Sequence, residues 1–444
     1  MDKQDTLRKI RAAGIIGAGG AGFPTYKKLD ATVEHIIANG AECEPLLYKD
    51  REVMLQEQKR FLRGLEIMQE LTSASTVTIA VKNKNRDVIE ILRPEAESRG
   101  FKLFVYADVY PAGDEYVLVY EITGRQIPPG GLPLQVGCVV DNVETIINIA
   151  RAVDDDEPVT EKFITITGEV RNPVTTRVPV GTSFADCINL AGGTTIDDPV
   201  VLTGGVMMGG LETDFTLPVS KTNGAVIVLP SDHYLVKHKS KSTEIYTRIG
   251  HGQCDQCCLC TEMCPRYLLG YPIEPHKVMR TLLMTGETKD RGSLWAQYCC
   301  ECNVCTLIAC PENLDPMSIC VDAKQILREN NLSRTAQELE VLFKPVHPVR
   351  KGREVPIPKV YQRLGLSKYD REAKFVEIPQ KIDKVVIPMD SHIGKPATPA
   401  VQVGEKVQTG QVLATVDEQD LGSPVHASVA GTVTLIDARG VHIS

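Results

Sequence analysis

The 444-residue sequence has no run of about 18 apolar residues, and Met1 to Arg11 is charged throughout with no apolar core. Neither a membrane span nor a secretory signal is therefore expected. Nor is there a Lys/Arg-rich block, and the formal net charge is -8. Without a basic footprint, binding to nucleic acid or to an anionic membrane is excluded as the main activity. The expectation is a soluble protein of the cell interior. Hydrophobic residues make up 43% and charged residues 24%, a globular composition. At roughly 150 residues per domain, the length suggests about three domains.

Cysteine is the informative residue. Of 14, eleven fall between Cys254 and Cys320, while Cys43, Cys138 and Cys187 are scattered. Such clustering without an export signal points to metal or redox chemistry and away from a disulfide framework. Cys254-x2-Cys257-x2-Cys260-x3-Cys264-Pro265 is the bacterial ferredoxin ligand run. A second run follows at Cys299-x2-Cys302-x2-Cys305-x4-Cys310-Pro311, one residue longer before its last Cys. Two 4Fe-4S clusters are expected. In two-cluster proteins the fourth Cys commonly serves the other cube. That would group Cys254, Cys257, Cys260 and Cys310, and separately Cys299, Cys302, Cys305 and Cys264. Zinc is the competing reading, but structural zinc favours separated Cys pairs or Cys with His. Cys258 and Cys300 read as non-ligands, although Cys299 and Cys300 compete for one position. Cys138, Cys187 and Cys320 read as buried small hydrophobes.

Around the cysteines the chain divides. VEHIIANG (33–40), TVTIAVKN (76–83) and KLFVYADV (102–109) are strand-length apolar runs separated by helical stretches, which predicts a largely parallel α/β sheet in a domain over 1–153. Acidic DDDEP (154–158) marks a boundary. Residues 159–240 read as strands around one helix, a β-grasp-like domain. The region 241–335 is helical and holds both Cys runs, 336–380 reads as a linker, and 381–444 is a compact all-β unit with regularly spaced Gly.

Gly17-x-Gly19-x2-Gly22 satisfies the dinucleotide fingerprint, yet the preceding LRKIRAA is helical in pattern where a Rossmann unit needs a strand. The loop therefore reads either as a backbone cradle for a phosphate or flat ring, or as a tight turn. NGAECEP (39–45) follows a strand, which places its polar groups where ligands bind in open α/β sheets, unless it is a solvated charged turn.

Together GIIGAGGAGFPT, NGAECEP, the GDE at 113–115, GRQIPPGGLP and VVDNVET resemble the flavin- and NADH-binding subunit family of respiratory complex I and, more closely, the C subunits of Rnf electron-transport complexes. With the β-rich unit at the C-terminus, the order is similar to that of the cobalamin reductases of bacterial propanediol utilisation. The resemblance implies a Rossmann-like flavin domain, a soluble-ligand-binding β-grasp (SLBB-like) module, an α-helical two-cluster ferredoxin-type domain and a barrel-sandwich hybrid. It implies FMN at Gly17, Gly19, Gly20, Lys28, Asn39, Glu42, Val140, Asp141 and Asn142, and NADH near Phe23, Glu44, Asp114 and Glu115. Ala41 and Asp141 stand where the complex I pattern has Asp and Asn. TVDEQDLGSPVHAS (415–428) has no Lys for covalent attachment of a lipoyl or biotinyl group. Asp390-Ser-His392-Ile-Gly394 is one residue short of the corrinoid-ligating Asp-x-His-x2-Gly pattern, so His392 reads as structural.

The implied activity is NADH-dependent electron transfer through FMN and two 4Fe-4S clusters to cobalamin, supporting B12-dependent 1,2-propanediol degradation. The implied partners are an adenosyltransferase or other corrinoid-handling enzyme and microcompartment proteins, in the cytoplasm within a bacterial microcompartment. Two alternatives remain at this point: a subunit of a membrane-associated ferredoxin:NAD complex, and a non-enzymatic scaffold held together by zinc or clusters.

Overall fold

The structure is a computed structural model and describes residues 2–379 and 381–444. The first domain is built on four parallel strands: β1 (His35–Gly40), β2 (Thr76–Lys82), β3 (Lys102–Tyr106) and, after the short β4 (Val109–Tyr110), β5 (Cys138–Asn142). Their order is β3-β2-β1-β5, so the direction of winding reverses between β1 and β5. β1 and β2 are rich in β-branched residues and almost wholly buried, as strands covered on both faces must be. Helix Gln58–Thr72 buries Phe61, Leu62, Leu65, Met68 and Leu71 and packs on helix Val143–Asp154. Gly64 permits this approach, because a Cβ there would lie 2.1 Å from the Ile146 carbonyl oxygen.

The glycine loop is preceded by helix Lys3–Ala12, with no strand. A bridge between Ile16 and Pro24 closes it, and the Gly17 amide donates to the Phe23 carbonyl at 2.9 Å. The second domain has β6 (Glu161–Gly168), β7 (Val174–Pro179), β8 (Pro199–Thr203), β9 (Gly210–Glu212) and β10 (Ala225–Pro230) in the order β7-β6-β10-β8-β9. Helix Phe184–Leu190 packs Phe184, Cys187 and Ile188 against its sheet, and Cys187 is fully buried among apolar residues. The C-terminal unit is a four-stranded and a three-stranded sheet around Leu413, Val425, Val433 and Val441.

The stretch 336–380, expected to be a linker, is over its described residues 336–379 a folded strap instead. Helix Ala336–Leu342 begins with a Thr335/Glu338 capping box, and Val355–Pro356 pairs antiparallel with β4. Helix Ile357–Leu364 buries Ile357, Val360, Tyr361 and Leu364, and the Phe375 amide donates to Glu52 at 2.9 Å. The prolines that resembled linker punctuation start this helix, where a missing N–H costs nothing. Among the described residues no helix is long and apolar enough to cross a membrane.

The first, second and C-terminal domains meet at Lys221. Its ammonium is buried, donates to the carbonyls of Gly14 at 2.7 Å and Pro424 at 3.2 Å, and pairs with no carboxylate among the described residues. Burial lowers its pKa to about 7, and burial together with Lys221 lowers that of the adjacent His426 to about 3.

Two outcomes are expected. Gly64→Ala should destabilise by about 1–3 kcal/mol through overpacking, although Ala is the better helix former. Thermal or urea unfolding of the intact chain checks this. Between pH 7 and 10 the unfolded chain holds a proton on Lys221 that the folded chain does not, so this residue makes stability rise with pH. The melting temperature of wild type minus that of Lys221→Met should therefore rise steadily over that range, and a constant difference would contradict it.

Candidate functional site: a sheet-edge cleft beside two thiol-lined cavities

A cleft of about 580 Å³ lies outside the carboxyl ends of β1 and β5, at the point where the winding reverses. Ligands of open α/β sheets bind in this position. Gly19 and Gly20 form one side. A Cβ on Gly20 would meet nothing within 4 Å, so its backbone is open to the cavity, whereas one on Gly19 would press on Asn142 at 3.3 Å. Asn39, at the end of β1, donates to the Gly113 carbonyl at 2.9 Å and accepts from the Ala41 amide at 3.2 Å, which joins two cleft loops. Asn142 caps helix Val143–Asp154 and donates to Asp50 at 2.9 Å.

Beneath Asn142 lies a buried ionic lattice. Lys49 pairs with Asp50 at 2.9 Å and Glu144 at 3.2 Å, and Glu144 also receives Lys162 of β6 and the Phe163 amide. Burial and then the neighbouring Asp50 raise Glu42 to about 8, so its carboxyl is protonated at neutral pH and adds no negative charge to the cleft.

Of the positions expected from the sequence, Gly19, Gly20, Asn39, Glu42, Glu44, Asp114 and Asn142 line the cleft. Gly17, Phe23, Lys28, Glu115, Val140 and Asp141 do not. Gly17 closes the glycine loop from within. The Lys28 ammonium donates to the Val140 carbonyl at 3.0 Å and the Asp141 carboxylate at 3.1 Å, a group of three supporting β5. Glu44 engages both carboxylate oxygens with the Met207 and Met208 amides at 2.8 and 2.9 Å, bolting a second-domain loop over the cleft. The lining also includes Cys43, Lys49, Asp50, Gly204, Met208 and Asn223. The second-domain residues carry no local sequence signal, because only the tertiary fold brings their loops here.

Asp114 caps helix Glu115–Thr123 and pairs with Arg266 at 2.7 Å. Arg266 lies two residues past Cys264 and stacks 3.5 Å from the Tyr116 ring centroid, so the cleft is tied directly to the cysteine domain.

That domain has two thiol-lined cavities. One is lined by Cys254, Cys257, Cys258, Cys260 and Cys310, the other by Cys264, Cys299, Cys300, Cys302 and Cys305. Each therefore draws the three regularly spaced thiols of one run, with the adjacent Cys258 or Cys300, and the last thiol of the other run. No three His, Cys, Asp or Glu among the described residues converge on a single-ion point; the sulfurs stand around a space. Gln256 and Cys258 have φ of 56° and 67°, and Glu301 and Asn303 have φ of 57° and 64°. This repeat of left-handed residues makes Cys299 the counterpart of Cys254, Asn303 that of Cys258 and Cys300 that of Asp255. The extra residue in Cys305-x4-Cys310 is taken up by a π-helical turn, Val304–Ala309. Burial, then Cys254, Cys310 and Cys257, pushes the Cys260 thiol up to about 12, so a thiolate there needs a cationic core. The donor set fits iron–sulfur cubes. Cys300 and Cys302 line the sheet-edge cleft as well as the second cavity.

Residues 10–151 match the Nuo51 FMN-binding domain, 163–210 the SLBB domain, 253–315 the 4Fe-4S dicluster domain and 365–443 the RnfC barrel sandwich hybrid domain. The cobalamin reductase PduS of Salmonella typhimurium is 41% identical over 440 residues, covering 99% of this chain and 96% of that protein. The chain belongs to the PduS cobalamin reductase family. As a PduS-family chain with FMN-binding and dicluster domains, it is an oxidoreductase with FMN and 4Fe-4S clusters as cofactors. The C subunit of the proton-translocating ferredoxin:NAD+ oxidoreductase complex of Clostridium ljungdahlii is 32% identical over 60% of this chain and 56% of that one. In fold, the chain is similar to a subunit of an NAD+-reducing NiFe hydrogenase, with a TM-score of 0.52 at 19% identity, covering 78% of this chain and 63% of that one.

The lining sets predict how Cys variants group. Cys310→Ser should lose the same cluster as Cys260→Ser, and Cys264→Ser the same as Cys305→Ser, each with about half the iron of wild type. Iron analysis and low-temperature EPR of reduced, anaerobically purified protein check this. Grouping of Cys310→Ser with Cys305→Ser would refute the crossed arrangement.

Proposed function

We propose that the chain is an NADH-dependent cobalamin reductase that takes a corrinoid from the cob(III) to the cob(II) state. Bound FMN would supply the chemistry that takes two electrons as one hydride and returns them one at a time, and 4Fe-4S clusters would carry one electron each, which reconciles a two-electron donor with a one-electron acceptor. The observation that carries the reading is the wall formed by Cys300 and Cys302, which faces the flavin cleft on one side and the second thiol cavity on the other. The acceptor is argued from the full-length similarity to PduS, against a partial match to the ferredoxin:NAD+ subunit.

In this reading Gly19 and Gly20 let the ligand approach the backbone, while Asn39 and Asn142 orient it. Gly17, Lys28, Val140 and Asp141 hold the surrounding loop and strand, and Glu42 stays neutral beside the ring. Asp114, fixed by Arg266, and Glu44 shape the nicotinamide side, whereas Phe23 and Glu115 lie outside the cleft lining. Cys254, Cys257, Cys260 and Cys310 hold one cube, and Cys264, Cys299, Cys302 and Cys305 the other. Hydride transfer requires no general acid or base, so none is assigned. The resemblance to propanediol-utilisation proteins leads us to place the chain in a microcompartment, supplying reduced corrinoid to an adenosyltransferase.

Anaerobically purified protein should contain one FMN and about eight irons per chain, and NADH should drive the absorbance change of cob(III)alamin reduction. Flavin bleaching by NADH without any cobalamin reduction would refute the acceptor. Copurification with membranes and reduction of ferredoxin alone would favour the membrane-complex reading.

A further inference from the structure

The strap over residues 336–379 roofs a second cavity of about 600 Å³. Its floor is the carboxyl edge of the same parallel sheet, with Glu42 after β1, Lys84 after β2 and Asp108 after β3. Glu42 and Leu47 line both this cavity and the flavin cleft, so one layer of side chains separates the two. The opposite wall is helix Ile357–Leu364, whose buried face packs with Cys302, Val304 and Leu307 of the second thiol loop. The cavity thus borders both redox sites, and none of the roles assigned above uses it.

Its chemistry narrows the occupant. Asp87, Asp108, Asp370 and Glu372, beside the neutral Glu42, face three cations, Arg51, Lys84 and Arg86. Arg51 is already bound by Asp87 and by Glu372 at 3.1 Å, and Lys84 lies 3.8 Å from Asp108. A nucleotide rich in phosphate would meet an excess of carboxylate here. The remaining walls alternate the rings of Tyr48 and Tyr361 and the apolar Ile357 and Pro358 with Asn85 and Gln362. Such a surface suits a broad, apolar ring fringed by amides, since each amide both donates and accepts hydrogen bonds. A corrinoid has this construction.

We propose that the corrinoid acceptor docks in this cavity, between the strap and the carboxyl edge of the sheet. The proposal rests on the cobalamin reductase reading and assigns that reading its acceptor site.

Gln362 and Ser367 are exposed on the rim, and neither side chain makes a hydrogen bond among the described residues. Gln362→Trp and Ser367→Trp would therefore fill the cavity without removing a contact. Binding of hydroxocobalamin to the anaerobic, full-length holoprotein is measured by equilibrium gel filtration, alongside flavin and iron content. The proposal expects wild type to bind and both variants to bind at least tenfold more weakly, with cofactor content and NADH oxidation by an artificial acceptor unchanged. Unaltered binding in both variants, with wild type still reducing cobalamin, would overturn the site and leave the function standing. Absence of both binding and reduction in wild type would overturn both. Competitive displacement of cobalamin by ADP would overturn the site in favour of a nucleotide pocket.

Discussion

Neither thiol cavity is completed by its own loop, and the architecture of the helical domain follows from that exchange. Cys310 reaches back to the cavity of Cys254, Cys257 and Cys260, while Cys264 crosses to that of Cys299, Cys302 and Cys305. Two loops about 45 residues apart in sequence are thereby obliged to fold against each other. The domain's helices pack to serve this constraint, with Ile319, Cys320 and Ala323 of one helix closing on Val278 and Met279 of another. Thiols this buried are poor thiolates unless a positive core compensates them, which couples folding of the loops to cofactor insertion.

A second constraint fixes the flavin cleft. Glu144 sits between Lys49 of the first domain and Lys162 of the second, all three nearly inaccessible to water. Removing Glu144 would leave Lys162 buried without its carboxylate partner, a far greater cost than breaking an exposed ion pair. Asn142 above and Glu44 at the roof inherit their positions from this lattice and from the second-domain loop. The β-grasp module is therefore a structural part of the cleft wall as well as a neighbour of it.

Local patterns were readable in the sequence, and long-range ones were not. The ligand runs are local, since three thiols three residues apart share one curled loop in almost any context. The runs at 33–40, 76–83 and 102–109 contain β1, β2 and β3 because branched apolar residues mark strands buried on both faces. Glu44 was legible as a cleft residue by resemblance, but its engagement with the Met207 and Met208 amides depends on a loop more than 160 positions away. The strap was misread because proline at a helix start and proline in a linker look alike until packing distinguishes them. Lys221 gave no signal at all, because nothing in its surrounding sequence indicates that water will be excluded from it.

The π turn at Val304–Ala309 has a consequence for ligand spacing. Each residue along a helix rotates the chain by about 100°, and the π turn absorbs the single residue by which Cys305-x4-Cys310 exceeds Cys260-x3-Cys264, so loss of one residue there would return the loop to the spacing of the first run. A terminal sulfur can thus be presented to its cavity by either spacing, because the wider turn confines the inserted residue to one loop.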